Sequence, residues 1–141
     1  MRHLALDVGD ERIGIALSDL SGRLARPLEV ISRRPGPSGF LRIAKIIAEN
    51  KVERVVVGLP LLPDGSEGKQ VRSARAYVAG LETHIKVPIV FWDERGSTRR
   101  AGQILLENES RKRRRKESSD MVAAAVILQE YLDAQSGGQL P

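Results

Sequence analysis

HLALDVGDERIGIALS, residues 3–18, decides how this chain folds. Leu4, Leu6 and Val8 alternate with Ala5 and Asp7, the period of two that marks a strand with distinct faces. Gly9-Asp10 ends it, and Ile13 to Ser18 resumes as a second strand after a turn too short for anything but an antiparallel pair. A turn at Asp19 to Gly22 leads into a weaker third strand, Leu24 to Ile31. Pro27 lies inside that strand and donates no hydrogen bond, which places the strand at a sheet edge.

Beyond this meander the period changes. Arg33 to Gly39, rich in proline and glycine, reads as a connector, and Phe40, Ile43, Ala44 and Ile47 then repeat at helical spacing. Val55-Val56-Val57-Gly58 is continuously apolar, as in a strand buried on both faces. A turn-rich loop, Leu59 to Gly68, precedes a helix marked by Val71, Ala74, Val78 and Leu81, for which Ser66 is a candidate N-cap. Pro88 to Trp92 reads as another buried strand running into Asp93-Glu94-Arg95. A helix follows from Ser97 through Leu106, and a last one opens at Ser118 or Ser119 and runs through Leu132. Helices alternating with the later strands imply parallel pairing through right-handed crossovers. The expected architecture is therefore a single α/β domain over residues 1–134 with a mixed sheet, and a frayed tail over 135–141.

Composition narrows the chemistry. With 141 residues, 41% of them hydrophobic, the chain can bury one sizeable core. The longest apolar run, Met121 to Leu128, is far short of the ~20 residues that span a bilayer. The first residues meet Asp7 too early for a signal peptide, so a cytoplasmic protein without membrane partners is expected. Zero cysteines exclude disulfides, thiol catalysis and Cys-ligated metals. His3 and His84 lie far apart without paired ligand spacing, and no Ser has a GxSxG setting. GxGxxG and GxxxxGK[ST] are absent too, which leaves dinucleotide and P-loop chemistry without support.

The formal charge of +5 is local. Of 23 Lys and Arg, six form the run Arg111, Lys112, Arg113, Arg114, Arg115 and Lys116, leaving 17 against 18 acidic residues elsewhere. Mutual repulsion makes a solvated loop the expectation for this run. Its bland role is solubility; its sharper role is contact with a phosphate backbone, where counterion release makes binding salt-dependent.

In open α/β sheets, sites form beyond the carboxyl ends of the strands. Asp7 ends the first strand, Asp93 and Glu94 end the last, and Asp120 opens the final helix. Each alone reads as a turn former or a helix-end residue. Together they are candidates for binding a pair of divalent ions, Mg²⁺ or Mn²⁺, through oxygen ligands.

Four segments carry a resemblance: DVGDERIGIALSD (7–19), VVVGLPLLPDGSEG (55–68), VPIVFWDERGSTRRA (87–101) and DMVAAAVILQEYL (120–132). In this order and over nearly the whole chain they resemble the YqgF family, described both as pre-16S rRNA nucleases and as Holliday-junction-resolvase-like. The resemblance implies an RNase H-like fold with a five-stranded mixed sheet ordered 3-2-1-4-5 and flanked by helices. It implies that Asp7, Glu94 and Asp120 bind metal, activate water and stabilise the leaving oxygen, with Asp93 a further candidate ligand. Strand alternation leaves open which of Asp93 and Glu94 points inward. Gly96 departs from the larger apolar residue expected after the DER motif.

The implied function is a metal-dependent nuclease that processes the 5′ end of pre-16S rRNA in ribosome biogenesis, as a monomer or weak dimer on RNA or a preribosomal particle. A non-catalytic RNA-binding assembly factor and a resolvase of branched DNA are the alternatives. Arg95, Arg99, Arg100 and the run from Arg111 to Lys116 are the expected nucleic-acid contacts. Lys69, Arg72 and backbone N–H groups of the Gly58–Gly68 loop would supply phosphate contacts from the other side of the site.

Overall fold

A computed structural model of the chain describes residues 1–94 and 112–138. Five strands, β1 (His3–Val8), β2 (Arg12–Ser18), β3 (Ala25–Ser32), β4 (Arg54–Leu59) and β5 (Ile89–Asp93), form one sheet in the order β3-β2-β1-β4-β5. β1 pairs antiparallel with β2, and β2 with β3; β4 is parallel to β1 and to β5. Helices α1 (Gly36–Asn50) and α2 (Lys69–Leu81) complete one layer, and α3 (Lys112–Gly138) forms the other. Among the described residues, no helix is long and apolar enough to cross a membrane.

The sheet's two faces are built from different residues. Leu4, Leu6, Ile13, Ile15, Leu17, Val55 and Val57 point to one side, where they bury Ile43, Ile46, Val78 and Leu81 of α1 and α2. Ala5, Ala16 and Val56 point to the other, against Ala124, Ile127, Leu128 and Tyr131 of α3. The alternation along β1 is thus large on one face and small on the other, and the small face lets α3 lie close.

Pro27 sits in β3 opposite Ala16, where the β2–β3 register shifts, and β3 is an edge strand as its proline requires. β5 differs from expectation. It is not buried on both faces: Ile89, Val90 and Trp92 are half-buried and Phe91 is exposed, because β5 is the last strand on its side of the described sheet. α1 begins at Gly36, inside the expected connector, since proline is tolerated in a first turn whose N–H groups lack partners anyway. Ser66 does not cap α2. Its N–H and hydroxyl both donate to Asp64 Oδ1, at 2.9 and 2.6 Å, closing a turn within the loop and leaving Gly68 as the N-cap.

α3 starts well before Ser118. The backbone of Lys112 to Lys116 is helical rather than a loop, in keeping with the good helix propensity of Arg and Lys. The same helix runs on to Gly138, into the stretch expected as tail. The helix expected from Ser97 through Leu106 lies outside the described residues.

Candidate active site

Asp7 is the centre of the arrangement, near the carboxyl end of the central strand. It pairs with Gly14 across the antiparallel β1–β2 ladder, and cross-strand partners share a face of the sheet. That face is the one covered by α3, because Asp7 is in step with Ala5, and Gly14 with Ala16. On the other side, the β1–β4 register runs as far as Leu6 beside Val57, so Gly58 is next in line with Asp7. A glycine therefore flanks Asp7 on each side, about 5 Å away.

Each glycine is the floor for an acidic residue. A Cβ at Gly14 would collide with the backbone oxygen of Asp120, so the missing side chain is what lets α3 bring Asp120 onto the sheet. A Cβ at Gly58 would collide with Glu94 Oε2 and stand 2.6 Å from Ile127 Cδ1. Glycine inside a strand pattern is the sequence sign of such close approach. Ala123 and Ala124, both buried, keep the next turn of α3 equally near.

Glu94 follows β5 and is only 4% exposed; its N–H donates to the carbonyl of Leu59 at 3.2 Å. Its parity is that of Val90 and Trp92, which pack toward α3. Asp93 is exposed and in step with Phe91, whose ring lies 4.7 Å beneath the Arg75 guanidinium of α2. The alternation left open by the sequence therefore resolves with Glu94 on the α3 face and Asp93 on the opposite one.

Asp7 is half-buried, and its pKa is pushed up to about 7, first by loss of water around the carboxylate and then by the negative charge of Asp120. Asp120 accepts a 2.9 Å hydrogen bond on Oδ2 from Nε of Arg12. Gly9, Asp10, Glu11, Arg12 and Asp120 line a cleft of about 300 Å³ beside it. The sequence pointed to Asp7, Glu94 and Asp120 but not to Arg12, Gly14 or Gly58. The signal for Arg12 was its parity: two residues before Gly14, it shares the face that carries Asp7.

Oxygen donors of this kind suit a hard divalent cation, which is commonly bound through one or two carboxylates with substrate phosphate and water completing its shell. Among the described residues, no three His, Asp or Glu side chains are placed to hold one ion together. Asp7 and Asp120 interact, Glu94 stands on the same face, and Asp93 is separated from all three by the sheet.

The expected nucleic-acid residues divide. Lys69 and Arg72 are exposed at the start of α2, where Nη1 of Arg72 donates to the carbonyl of Glu67 at 3.2 Å. Part of the loop before them is turned on itself. The N–H groups of Leu61, Leu62 and Gly65 donate to carbonyls of Leu59, Ser66 and Leu62, so those donors are used within the loop. Lys112, Arg113, Arg114, Arg115 and Lys116 lie in the helical backbone leading to Asp120, with Lys116 one turn before it. Arg95, Arg99, Arg100 and Arg111 lie outside the described residues.

A family model described as RuvX, Holliday junction resolvase, matches residues 1–134. A protein of Thermoanaerobacter pseudethanolicus named "Putative pre-16S rRNA nuclease" is 43% identical over 136 residues, covering 96% of this chain and 98% of its own length. One of the same name from Desulforamulus reducens is 44% identical, covering 95% and 98%. Among solved structures, Thermus thermophilus RuvC superposes with a TM-score of 0.61 at 17% identity, covering 97% of both chains. Fowlpox virus resolvase in complex with Holliday junction DNA superposes at 0.57 and 9% identity, covering 96% of this chain and 99% of its own. At such identities the likeness is one of fold: the RNase H-like sheet ordered β3-β2-β1-β4-β5.

Proposed function

This chain belongs to the RuvX family of Holliday junction resolvases, and we propose that it is a metal-dependent nuclease hydrolysing phosphodiesters in RNA. Precursor 16S rRNA is the substrate we assign, following the name its relatives carry. We place its action in the cytoplasm, as a monomer or weak dimer on RNA or a preribosomal particle. The observation that carries the reading is Asp7 set between two glycines, with Asp120 brought onto the sheet over one and Glu94 over the other.

The donor set fits Mg²⁺ or Mn²⁺, and the half-buried Asp7, raised to about 7 beside Asp120, is a carboxylate that a cation would stabilise in its charged form. Asp7 with Asp120, and Glu94 from the same face, would supply oxygen ligands to metal, which when bound in a pair supplies an activated water and neutralises charge on the leaving oxygen. The rest is the protein's own work. β1 fixes Asp7 rigidly in mid-sheet, and α3 carries Asp120 to it. Burial keeps Glu94 oriented, and the cationic start of α3 draws a phosphate backbone toward the carboxylates.

The test is product formation from labelled precursor-rRNA fragments, single-stranded RNA and a DNA four-way junction, with Mg²⁺, Mn²⁺ or chelator. Cleavage of the precursor with metal, lost in chelator and in Asp7→Asn with RNA binding kept, is the expected result. Equal cleavage by Asp7→Asn removes Asp7 from the site. Binding without any product moves the protein to an assembly factor, and preference for the junction moves it to DNA.

A further inference from the structure

Arg12 has no part in the chemistry above, yet it makes an ion pair that reaches into the carboxylate set. Its Nε donates to Asp120 Oδ2 at 2.9 Å, and its Nη1 stands 3.7 Å from Glu11 Oε2. The Arg12 and Asp120 side chains are 26% and 29% exposed, so water and salt screen this pair less than a fully exposed one.

We propose that Arg12 is a positioning residue acting as a stand-in cation: in the metal-free protein it holds the Asp120 carboxylate, and a divalent ion must displace it to take that ligand. This rests on the metal-dependent reading of the site. Two observations support it besides the bond itself. First, Asp7, Glu94 and Asp120 bring three carboxylates to one face of the sheet. A guanidinium on one of them offsets repulsion that would otherwise push α3 away. Second, there is room for the guanidinium to leave. Arg12 lines the cleft beside Asp120 and also a neighbouring one of about 310 Å³ formed with Val30, Ile31, Ser32 and Met121. A metal ion and a guanidinium on the same oxygen repel each other, so the exchange is competitive.

The experiment is Mn²⁺ binding by calorimetry to the full chain, with thermal unfolding in chelator measured alongside. Arg12→Gln, which keeps a polar side chain but no charge, should bind Mn²⁺ about five- to tenfold more tightly than wild type and melt at a lower temperature without metal. Arg12→Lys, which keeps the charge and loses the Nε fork, should lie between the two in both measurements. In an Asp120→Asn background, Arg12→Gln should leave the Mn²⁺ Kd unchanged. A purely structural arginine would lower the melting temperature while leaving the Kd unchanged or weaker, and that result overturns the proposal. Should Arg12→Gln not fold, an Arg12→Lys Kd equal to that of wild type overturns it. Absence of Mn²⁺ binding in every protein overturns the metal-dependent reading, and the competition with it. Normal wild-type binding with an unmoved Kd in the variants removes the competition alone.

Discussion

The two faces of the sheet are made by the same five strands and do opposite things. Toward α1 and α2 the strands present leucine, isoleucine and valine, filling a thick apolar layer. Toward α3 they present alanine and glycine, and the helix comes close enough for its backbone to touch β2 at Gly14. Bulk on one side stabilises the fold. Its lack on the other lets Asp120 of α3 come to Asp7 of β1, with Glu94 on the same face. A carboxylate on a helix reaches one on a strand only across a near wall, and small side chains make one.

That contrast can be broken from either side. Leu6→Ala, on the bulky face, should cost about 2–5 kcal/mol in denaturant unfolding, with cleavage per folded molecule unchanged. A matching loss of specific activity would show that the faces are not separable.

On the small face, Asp7 makes stability depend on pH. Its folded pKa, about 7, lies above the ordinary 3.8, so the folded state binds more protons than the unfolded chain between those values. Wild-type stability in chelator should therefore fall as pH rises from about 4 to 7 and level off above. Asp7→Asn should lose that slope and gain on wild type by on the order of 1–4 kcal/mol at pH 8. Parallel pH profiles of the two proteins would place Asp7 in water rather than in the cleft.

Gly58→Ala should cost about 1–3 kcal/mol, because the new methyl meets the Glu94 carboxylate and Ile127. Its cleavage rate should drop on the order of 10²-fold while Leu6→Ala keeps its own. Smallest of all in rate is Asp93→Asn, across the sheet from Asp7, Glu94 and Asp120: within about threefold. A large loss there would return Asp93 to the site.

Much of this was legible in the chain. Alternation in residues 3–18 fixes the hairpin, Pro27 marks the edge strand, and the order of helices and strands gives the parallel half. Asp7, Glu94 and Asp120 were visible as carboxylates at element ends. What stayed hidden depends on contacts between distant segments. Glu94 and Asp93 are neighbours in sequence, and only the packing of Trp92 and Val90 against α3 settles which faces inward. Gly14 and Gly58 look like weak points in strands until the residues lying over them are known. Arg12 reads as a turn residue until a helix from the far end of the chain arrives. Local chemistry misled at Ser66, where Asp64 captured the hydroxyl, and at the cationic run, where helix propensity prevailed over repulsion.

The bond between Arg12 and Asp120 joins residues 108 apart in sequence. The β1–β2–β3 meander, by contrast, closes through short turns. Long closures cost more chain entropy, and cooperative units of a protein open at different free energies. If α3 lifts as one such unit, the meander and the bulky face can stay intact while Asp120 leaves Asp7. Heating or mild denaturant should then silence this protein before it unfolds, with activity lost ahead of the far-ultraviolet signal and regained as soon as one helix settles back.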